Sequence, residues 1–523
     1  MRQERSIKNI ITAVAGQLLS LIFPFITRSI FIRYLSIEYL GLNGLFSNIL
    51  SILSLSELGL SSAIIFSLYK PVAENDETLI KGLINFYAKI YRKIFFFVLA
   101  AGGLVIPFLS VIIKDDISIA KSEIYVIYIL FLVNSALSYL IVYKRAILVA
   151  DQKIYVSNFY QTLSLIITNI FQIIFLVLTK NFIIYILIKI ATDIMQNIII
   201  YKRAEAMYPV VRDVKGYEID SQTKSEIYKK IRALMIHKVG DTVLNSTDNI
   251  IMSSFLGVAL VGIYSNYYVI FNMLNSVIAQ MFYAVTASVG NLNAIKVSEK
   301  SYTIYKNIYF ANFWIFGFSA TGLFIIFDNF ISLWIGKDYL LDFSTLIIIV
   351  INFYVIGMRR VNLIYRDSLG LYWNDRYKPV ITALINIIVS LLLVKQFEIT
   401  GILLGTLISI LLTSFWVEPY ILYKHAFKKN ILQYFFIYFK YLGLAVMAII
   451  LSFLITMNFP DHTLTNLLIK IAVVLLVPNG LFLIVFHRSE EFKYFVNVFK
   501  GIKIKNLVKG DGTKENHQSE RKY

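Results

Sequence analysis

The feature that most constrains the fold of this 523-residue chain is a series of long apolar runs. An α-helix needs about 20 mostly apolar residues to cross the roughly 30 Å of hydrocarbon in a bilayer. Fourteen stretches approach or exceed this length: 10–32, 44–68, 94–113, 124–143, 156–178, 182–201, 233–255, 262–285, 308–327, 343–358, 379–394, 399–423, 435–457 and 466–486. We therefore predict an all-α polytopic membrane protein with about 14 transmembrane helices.

The distribution of Lys and Arg predicts the orientation of these helices. If the chain starts in the cytoplasm, 39 of its 50 basic residues fall in cytoplasmic segments and 6 in external loops. Loops rich in Lys and Arg stay cytoplasmic, so this bias predicts an even number of spans and two cytoplasmic termini. The same bias explains the formal net charge of +18 without a nucleic-acid partner.

Several classes of protein are disfavoured by what the sequence lacks. The predicted external loops are short, whereas membrane polymerases and ligases that act on lipid-linked sugars usually carry their catalytic groups on large ones. The five histidines show no metal-ligand spacing, and no Walker glycine loop is present. The chain has no cysteine, which excludes disulfides and thiolate sites. We therefore expect a protein that is not an enzyme and that holds no cofactor or metal.

A weak internal repeat suggests two related halves. At an offset of 221, Leu35 matches Leu256 and Gly41 matches Gly262, each pair between comparable spans. Six spans in each half imply parallel repeats, which place a substrate site at their interface. The predicted organisation is an N-terminal six-helix lobe (1–201), a cytoplasmic linker (202–232), a C-terminal six-helix lobe (233–423), two additional helices (424–486) and a basic cytoplasmic tail (487–523).

Ionisable residues within the spans are candidates for function, because each costs about 2.5 to 3.5 kcal/mol near the bilayer centre. Glu57, Asp193 and Asp241 lie near the middle of their spans, and Lys189 and Asp248 are somewhat less deep. Lipid-facing positions do not suit these five residues. Four basic residues lie close to the end of a span, where a long side chain reaches the interface: Arg28, Lys238, Lys440 and Lys470.

Several of these residues share a helix face with other polar side chains. Span seven has one polar stripe, formed by Lys238, Asp241, Asn245 and Asp248. Lys189 and Asp193 are four residues apart on span six, either as substrate contacts or as a structural ion pair. Further stripes occur on span one (Gln17, Ser20, Pro24, Arg28) and span two (Ser54, Glu57, Ser61). Polar stripes on several helices predict a hydrated cavity, and hence a transporter that works by alternating access.

Short motifs along the chain resemble one family of transporters. They are LGLNGLF at 40–46, ELGL at 57–60, LYKP at 68–71, STDNII at 246–251, GIYSNY at 262–267, and GLY at 370–372 with Asp375 and Arg376. In order and position they are similar to the bacterial polysaccharide repeat-unit flippases. These are the Wzx-type branch of the multidrug/oligosaccharidyl-lipid/polysaccharide exporter superfamily. The resemblance extends from span one to about span twelve.

The resemblance implies a function in the bacterial plasma (inner) membrane. The chain would move undecaprenyl-diphosphate-linked oligosaccharide, the repeat unit of O-antigen, capsule or a related polymer, to the outer leaflet. A proton or sodium gradient would drive the return step, and membrane lipids and other polysaccharide assembly proteins would be its further partners. Candidate cavity contacts to the diphosphate or sugar are Arg28, Lys238, Lys189, Asn245 and Asn249. Candidates for ion coupling are Asp248, Asp241, Glu57 and Asp193.

Two alternatives stay open at this point. A cation-coupled multidrug-type exporter of small molecules would have the same fold. A polysaccharide polymerase or ligase would instead need a large external loop with essential Arg or His. The glycan and the coupling ion are both left open.

Overall fold

The computed structural model describes residues 2–57, 60–113, 117–293, 299–459, 463–498 and 500. These residues form α-helices joined by short connections, with no β-strand among them. The helices are α1 (Arg2–Tyr34), α2 (Ile37–Leu53), α3 (Leu60–Glu74), α4 (Glu77–Val105), α5 (Leu109–Ile112), α6 (Lys121–Ile141), α7 (Arg145–Ala150), α8 (Ile154–Thr179), α9 (Phe182–Met207), α10 (Ser221–Leu256), α11 (Val258–Asn293), α12 (Glu299–Trp334), α13 (Phe343–Met358), α14 (Arg360–Ser368), α15 (Lys378–Leu412), α16 (Ser414–Ile421), α17 (Leu432–Thr456) and α18 (Leu464–Phe486). The predicted all-α class is confirmed.

Within this described part, nine helical segments are long and apolar enough to cross a membrane. They contain predicted spans three to six and nine to fourteen. Spans eleven and twelve fall in one segment of 50 residues, Lys378–Phe427. That segment folds back on itself at Glu398, whose backbone has φ 50° and ψ −129°, so that Asn386 Nδ2 lies 3.0 Å from the Thr406 hydroxyl. The helices of spans one, two, seven and eight are not among the nine, and three of these four carry the predicted polar stripes.

Predicted span two is not one continuous helix. A 3₁₀ turn, Ser54–Glu57, follows α2, and α3 begins at Leu60. Carbonyl groups at the end of a helix lack their usual backbone donors. The Ser54 hydroxyl donates to one of them, the Leu50 carbonyl (2.8 Å), at the end of α2. A 3₁₀ stretch inside a span often marks a functional site or a hinge.

The described contacts divide the chain into two compact units. The first comprises the described residues within Met1–Met273, Trp334–Ile348 and Arg376–Ser414, and the second comprises those within Leu274–Leu333, Ile349–Asp375 and Phe415–Tyr523. In the first unit, α1 packs along α8, α8 along α9, and α10 along both α2 and α15. The predicted lobes rest on a sequence repeat, and their boundaries stay a prediction.

A pair of glycine contacts in the first unit relates the two repeats. A Cβ atom added to Gly41 would lie 1.9 Å from the carbonyl oxygen of Val258, and one added to Gly262 would lie 2.5 Å from that of Ile37. Ile37 and Val258 are themselves separated by 221 residues, the offset that relates Gly41 to Gly262. Each segment therefore contacts its counterpart in the same way, as a two-fold relation requires.

Aromatic side chains and buried ion pairs build the second unit. Tyr305 lies among other aromatic rings and donates from its hydroxyl to Asn362 Oδ1 (2.7 Å). Glu418 is fully buried and accepts from Arg359 Nη2 (2.6 Å) and Nε (3.1 Å). A two-point Arg–carboxylate pair places opposite charges in direct contact, so the buried carboxylate of Glu418 is hydrogen-bonded and neutralised.

Candidate functional site

A polar cavity of about 490 Å³ lies beside α1, α8 and α9 in the first unit. Its volume is in the range of pockets that bind small ligands. The lining consists of Pro24, Thr27, Arg28, Phe31, Leu40, Asn43, Gln161, Ser164, Leu165, Thr168, Asn169, Gln172, Tyr185, Lys189, Asp193, Gln196 and Val269. Three of the predicted site residues, Arg28, Lys189 and Asp193, are thus brought together in one cavity.

Arg28 accounts for the net positive charge of the described cavity lining, because the charges of Lys189 and Asp193 offset each other. Its Nε donates to Asn266 Oδ1 (2.8 Å), and its Nη2 donates to the Ser265 hydroxyl. Asn266 is fully buried, so the guanidinium is hydrogen-bonded to a side chain in the protein interior. Among the described side chains, no carboxylate contacts Arg28. The positive charge is therefore oriented but not neutralised, which suits an anionic ligand.

The residues next to Arg28 fix the helix that carries it. The Thr27 hydroxyl donates to Asn169 Oδ1 on α8 (2.6 Å). One position beyond Arg28, Ser29 accepts a hydrogen bond from the indole Nε1 of Trp334 (2.7 Å). The two bonds hold α1 at the level of the guanidinium, and they limit how far Arg28 can move without a rearrangement of the first unit.

Lys189 and Asp193 form an ion pair on α9. Lys189 Nζ lies 3.0 Å from Asp193 Oδ2, and that same oxygen accepts from Asn134 Nδ2 (3.1 Å). The Lys189 side chain is half exposed and lines the cavity. The pair is neutral as a whole, so it adds polarity to the cavity without offsetting the charge of Arg28.

Asp248 lies in a second polar cluster, between α10 and α15. Thr406 donates from its hydroxyl to Asp248 Oδ2 (3.1 Å), and Asn386 Nδ2 donates to that hydroxyl (3.0 Å). The hydroxyl of Thr247 lies 3.4 Å from Asn386 Oδ1. Asp248 Oδ1 is buried and has no hydrogen-bond partner among the described atoms. A carboxylate, hydroxyls and an amide oxygen are the groups that bind hard cations, and a carboxylate can also take a proton.

Glu57 lies in a third cluster, at the 3₁₀ break of span two. It accepts a hydrogen bond from the Tyr91 hydroxyl, which in turn accepts from the Tyr87 hydroxyl (2.8 Å). Tyr139 donates to the Ser54 hydroxyl (2.9 Å) in the same turn. The carboxylate of Glu57 therefore has an uncharged hydrogen-bond partner, and no described basic residue pairs with it.

Of the remaining predicted residues, Asn249 is described and is not among the residues that line the cavity. Asn249 lies where α10 passes α2, with its Nδ2 3.8 Å from the position of a Cβ atom added to Gly44. The side chains of Lys238, Asp241 and Asn245 lie outside the described part of the chain. Their proposed roles stay predictions.

One wall of the cavity was not predicted from the sequence. Helix α8 presents a polar stripe at helical spacing: Gln161, Ser164, Thr168, Asn169 and Gln172. These uncharged residues were not predicted, because none of them shares a predicted polar stripe with an ionisable side chain. The same applies to Asn386 and Thr406. An amide or hydroxyl stripe in an otherwise apolar run is the signal that identifies them.

Comparison with known proteins shows the fold through solved structures. No protein-family model and no curated protein sequence matches the chain. The structure is similar to the lipid II flippase MurJ in an inward closed conformation, with a TM-score of 0.61, 15% identity and coverage of 91% of this chain and 98% of MurJ. It is also similar to an inward-facing multidrug resistance MATE family transporter of the MOP superfamily, with a TM-score of 0.60, 13% identity and coverage of 79% and 98%. A mutant of the Vibrio cholerae MATE transporter VcmN gives a TM-score of 0.57 at 12% identity, with coverage of 82% and 98%. The chain therefore has the polytopic all-α fold that MurJ shares with MATE transporters.

Proposed function

We propose that the chain is a flippase that moves undecaprenyl-diphosphate-linked oligosaccharide repeat units from the cytoplasmic to the outer leaflet of a bacterial plasma membrane. The observation that carries this proposal is the polar cavity with the oriented charge of Arg28, which no described carboxylate contacts. A diphosphate is an anion that a guanidinium binds through two parallel hydrogen bonds. The hydroxyl and amide groups of the α8 stripe are suited to a sugar. The fold shared with a lipid II flippase supports the same class of substrate.

The transport cycle follows from the two kinds of polar cluster. Arg28 and the α8 stripe would bind the diphosphate and the sugar, while the lipid tail stays in the bilayer. A proton or sodium ion would bind at Asp248, whose Oδ1 has no described partner. Binding of the ion changes the charge between α10 and α15. The ion shifts the equilibrium between inward-facing and outward-facing states by as much as its affinities for the two states differ.

Deletion of the gene tests the proposal directly. We expect lipid-linked repeat units to accumulate on the cytoplasmic face and surface polysaccharide to be lost. Re-expression of the chain should restore both. Normal export of the surface polymer in the deletion strain would refute the flippase function.

A cation-coupled exporter of small molecules is the second candidate function. The Asp248 cluster favours it, because a carboxylate surrounded by oxygen groups is equally suited to a cation-driven exporter. The fold shared with MATE transporters is in line with this function. Measurement of drug sensitivity in the deletion strain separates the two: increased sensitivity with unchanged surface polysaccharide would favour the exporter.

A further inference from the structure

A second large cavity lies away from the polar one, where α4 emerges from the predicted membrane. The segment Glu77–Ile112 has 36 residues, which gives about 54 Å at 1.5 Å per residue. The hydrocarbon of a bilayer is only about 30 Å thick. Predicted span three begins at Ile94, so 77–93 projects into the headgroup region and the water on the side predicted to be cytoplasmic. Arg92 and Lys93 lie at the boundary.

The linker that follows α9 forms the other wall of this cavity. Asn85 Nδ2 donates to the carbonyl of Tyr217 (2.7 Å), and Lys89 Nζ pairs with Glu218 Oε1 (2.8 Å). A Cβ atom added to Gly82 would lie 2.9 Å from the Ile219 side chain, so the linker packs closely against α4. The linker is therefore docked on the first unit at this point.

The cavity is basic. It has a volume of about 520 Å³ and is lined by Lys89, Arg92, Lys93 and Lys224, and Glu218 is the one acidic residue of its described lining. The hydrogen bond from Lys89 and the nearby charge of Lys224 hold the pKa of Glu218 below its usual value, so this carboxylate stays ionised and neutralises part of the charge. Arg92 and Lys93 are exposed and have no partner among the described residues. Their charges are available to a ligand.

Aromatic side chains continue the surface toward the bilayer. Phe96 lines the cavity and is 62% exposed, and Phe97 is 54% exposed. Both lie one helical turn beyond Arg92 and Lys93, at the start of predicted span three, where acyl chains would meet them. On the other wall, Tyr228 lies edge-on to Phe86 at 5.8 Å.

We propose that this cavity binds the headgroup of an anionic phospholipid in the cytoplasmic leaflet. Arg92 and Lys93 would contact the phosphate, and Phe96 and Phe97 would contact the first segment of the acyl chains. A lipid is favoured over a soluble phosphate because the basic groups stand at the membrane boundary and the aromatic rings extend from them into the apolar span. A bound headgroup touches both α4 and the linker, so it would strengthen the docking of the linker. The proposal does not depend on what the chain transports.

Native mass spectrometry of the full chain in detergent, with phosphatidylglycerol or phosphatidylcholine added, tests this site. The wild-type protein should retain phosphatidylglycerol in preference to phosphatidylcholine. The double variant R92A/K93A should bind phosphatidylglycerol more weakly, by roughly fivefold for each cation removed. The charge-preserving variant R92K/K93R should keep the preference. An excess of soluble glycerol 3-phosphate should not displace the lipid.

A matched control is R212A/K215A, which removes two exposed cations from the same linker outside the cavity. It should bind phosphatidylglycerol as the wild type does. An equal loss in both double variants would overturn the site, because it would reveal a general effect of charge. Unchanged binding in R92A/K93A would overturn it as well. Displacement by glycerol 3-phosphate would reject a lipid as the ligand.

Discussion

Arg28 is held in place by uncharged groups, which is consistent with its proposed role as a contact to an anion. Its two described hydrogen bonds go to Asn266 and Ser265, which are polar but uncharged. A charge removed from water without an opposite charge costs several kcal/mol, so a position that keeps it needs a compensating role. The guanidinium has five donors, and two of its nitrogens use one each in these bonds, which leaves other donors available to an anion.

Replacement of Arg28 tests this role. Arg28→Ala should lower export about 10-fold to 100-fold, because hydrogen bonds to a charged group contribute about 1.5 to 3 kcal/mol. Arg28→Lys keeps the charge but loses the two-point geometry, so we expect an intermediate effect. The measurement is surface polysaccharide per molecule of membrane-inserted protein. Arg33→Ala on the same helix is the control, since Arg33 is exposed and does not line the cavity. Full export by Arg28→Ala would remove Arg28 from the site.

Asp248 is the residue at which coupling is best tested. Asp248→Asn keeps the size of the side chain and removes the charge that a proton or sodium ion would neutralise. Export by this variant should fall about tenfold or more, and the remaining export should no longer respond to collapse of the ion gradient. Asp338→Asn, in a predicted external loop, should behave as the wild type. A gradient-dependent Asp248→Asn would show that coupling occurs elsewhere, and Glu57 would then be the next candidate.

At the scale of helices, the sequence predicted where helices occur better than where they break. Apolar runs of about 20 residues determine a membrane helix, so most predicted spans appear as described helices. The 3₁₀ turn at Ser54–Glu57 was not predicted, because the run 44–68 stays apolar enough to mask it. The break depends on contacts from other helices, such as the Tyr139 hydroxyl on α6 that donates to Ser54. A single span does not contain that information.

Glu398 is a strained position within a helical segment. Its φ of 50° with ψ −129° is unfavourable for any residue with a Cβ atom, and such a conformation costs about 1 to 3 kcal/mol. Glu398→Gly should therefore stabilise the protein by about 1 kcal/mol, measured as an increase in thermal stability in detergent. Lys395→Gly is the matched control: its backbone is helical, so glycine there should destabilise the protein by about 1 kcal/mol. A lower stability for Glu398→Gly would contradict this conformation.

At the scale of the whole molecule, the candidate site combines residues that are far apart in sequence. Arg28 and Asn266 are 238 positions apart, and Asp248 and Thr406 are 158 apart. The sequence identified Arg28 and Asp248, because an ionisable residue in a span is conspicuous. It did not identify their partners, since Asn266 and Thr406 are uncharged and their pairing depends on how distant helices pack. The sequence thus indicated ionisable residues within the spans, but it did not indicate the uncharged partners that the structure places beside them.

The predicted topology has a direct test, because the chain contains no cysteine. One cysteine at a time can be introduced without removing others. Asp338→Cys, in a predicted external loop, should react with a membrane-impermeant maleimide in intact cells. Arg212→Cys, in the linker, should react only after the membrane is opened. Both positions are exposed, so a lack of reaction is not due to burial. Labelling of Arg212→Cys in intact cells would contradict the cytoplasmic placement of the linker.

The contacts at Gly41 and Gly262 bear on the origin of the molecule. Gly41 of the first repeat contacts Val258 of the second, and Gly262 of the second contacts Ile37 of the first. The two repeats therefore meet through the same surface. A surface that fits its own copy does not need two different halves. A shorter ancestor with six helices could have associated with a second molecule of itself through this surface, with both inserted in the same direction. Fusion of two genes would then have joined partners that already fitted each other, and sequence divergence would have followed.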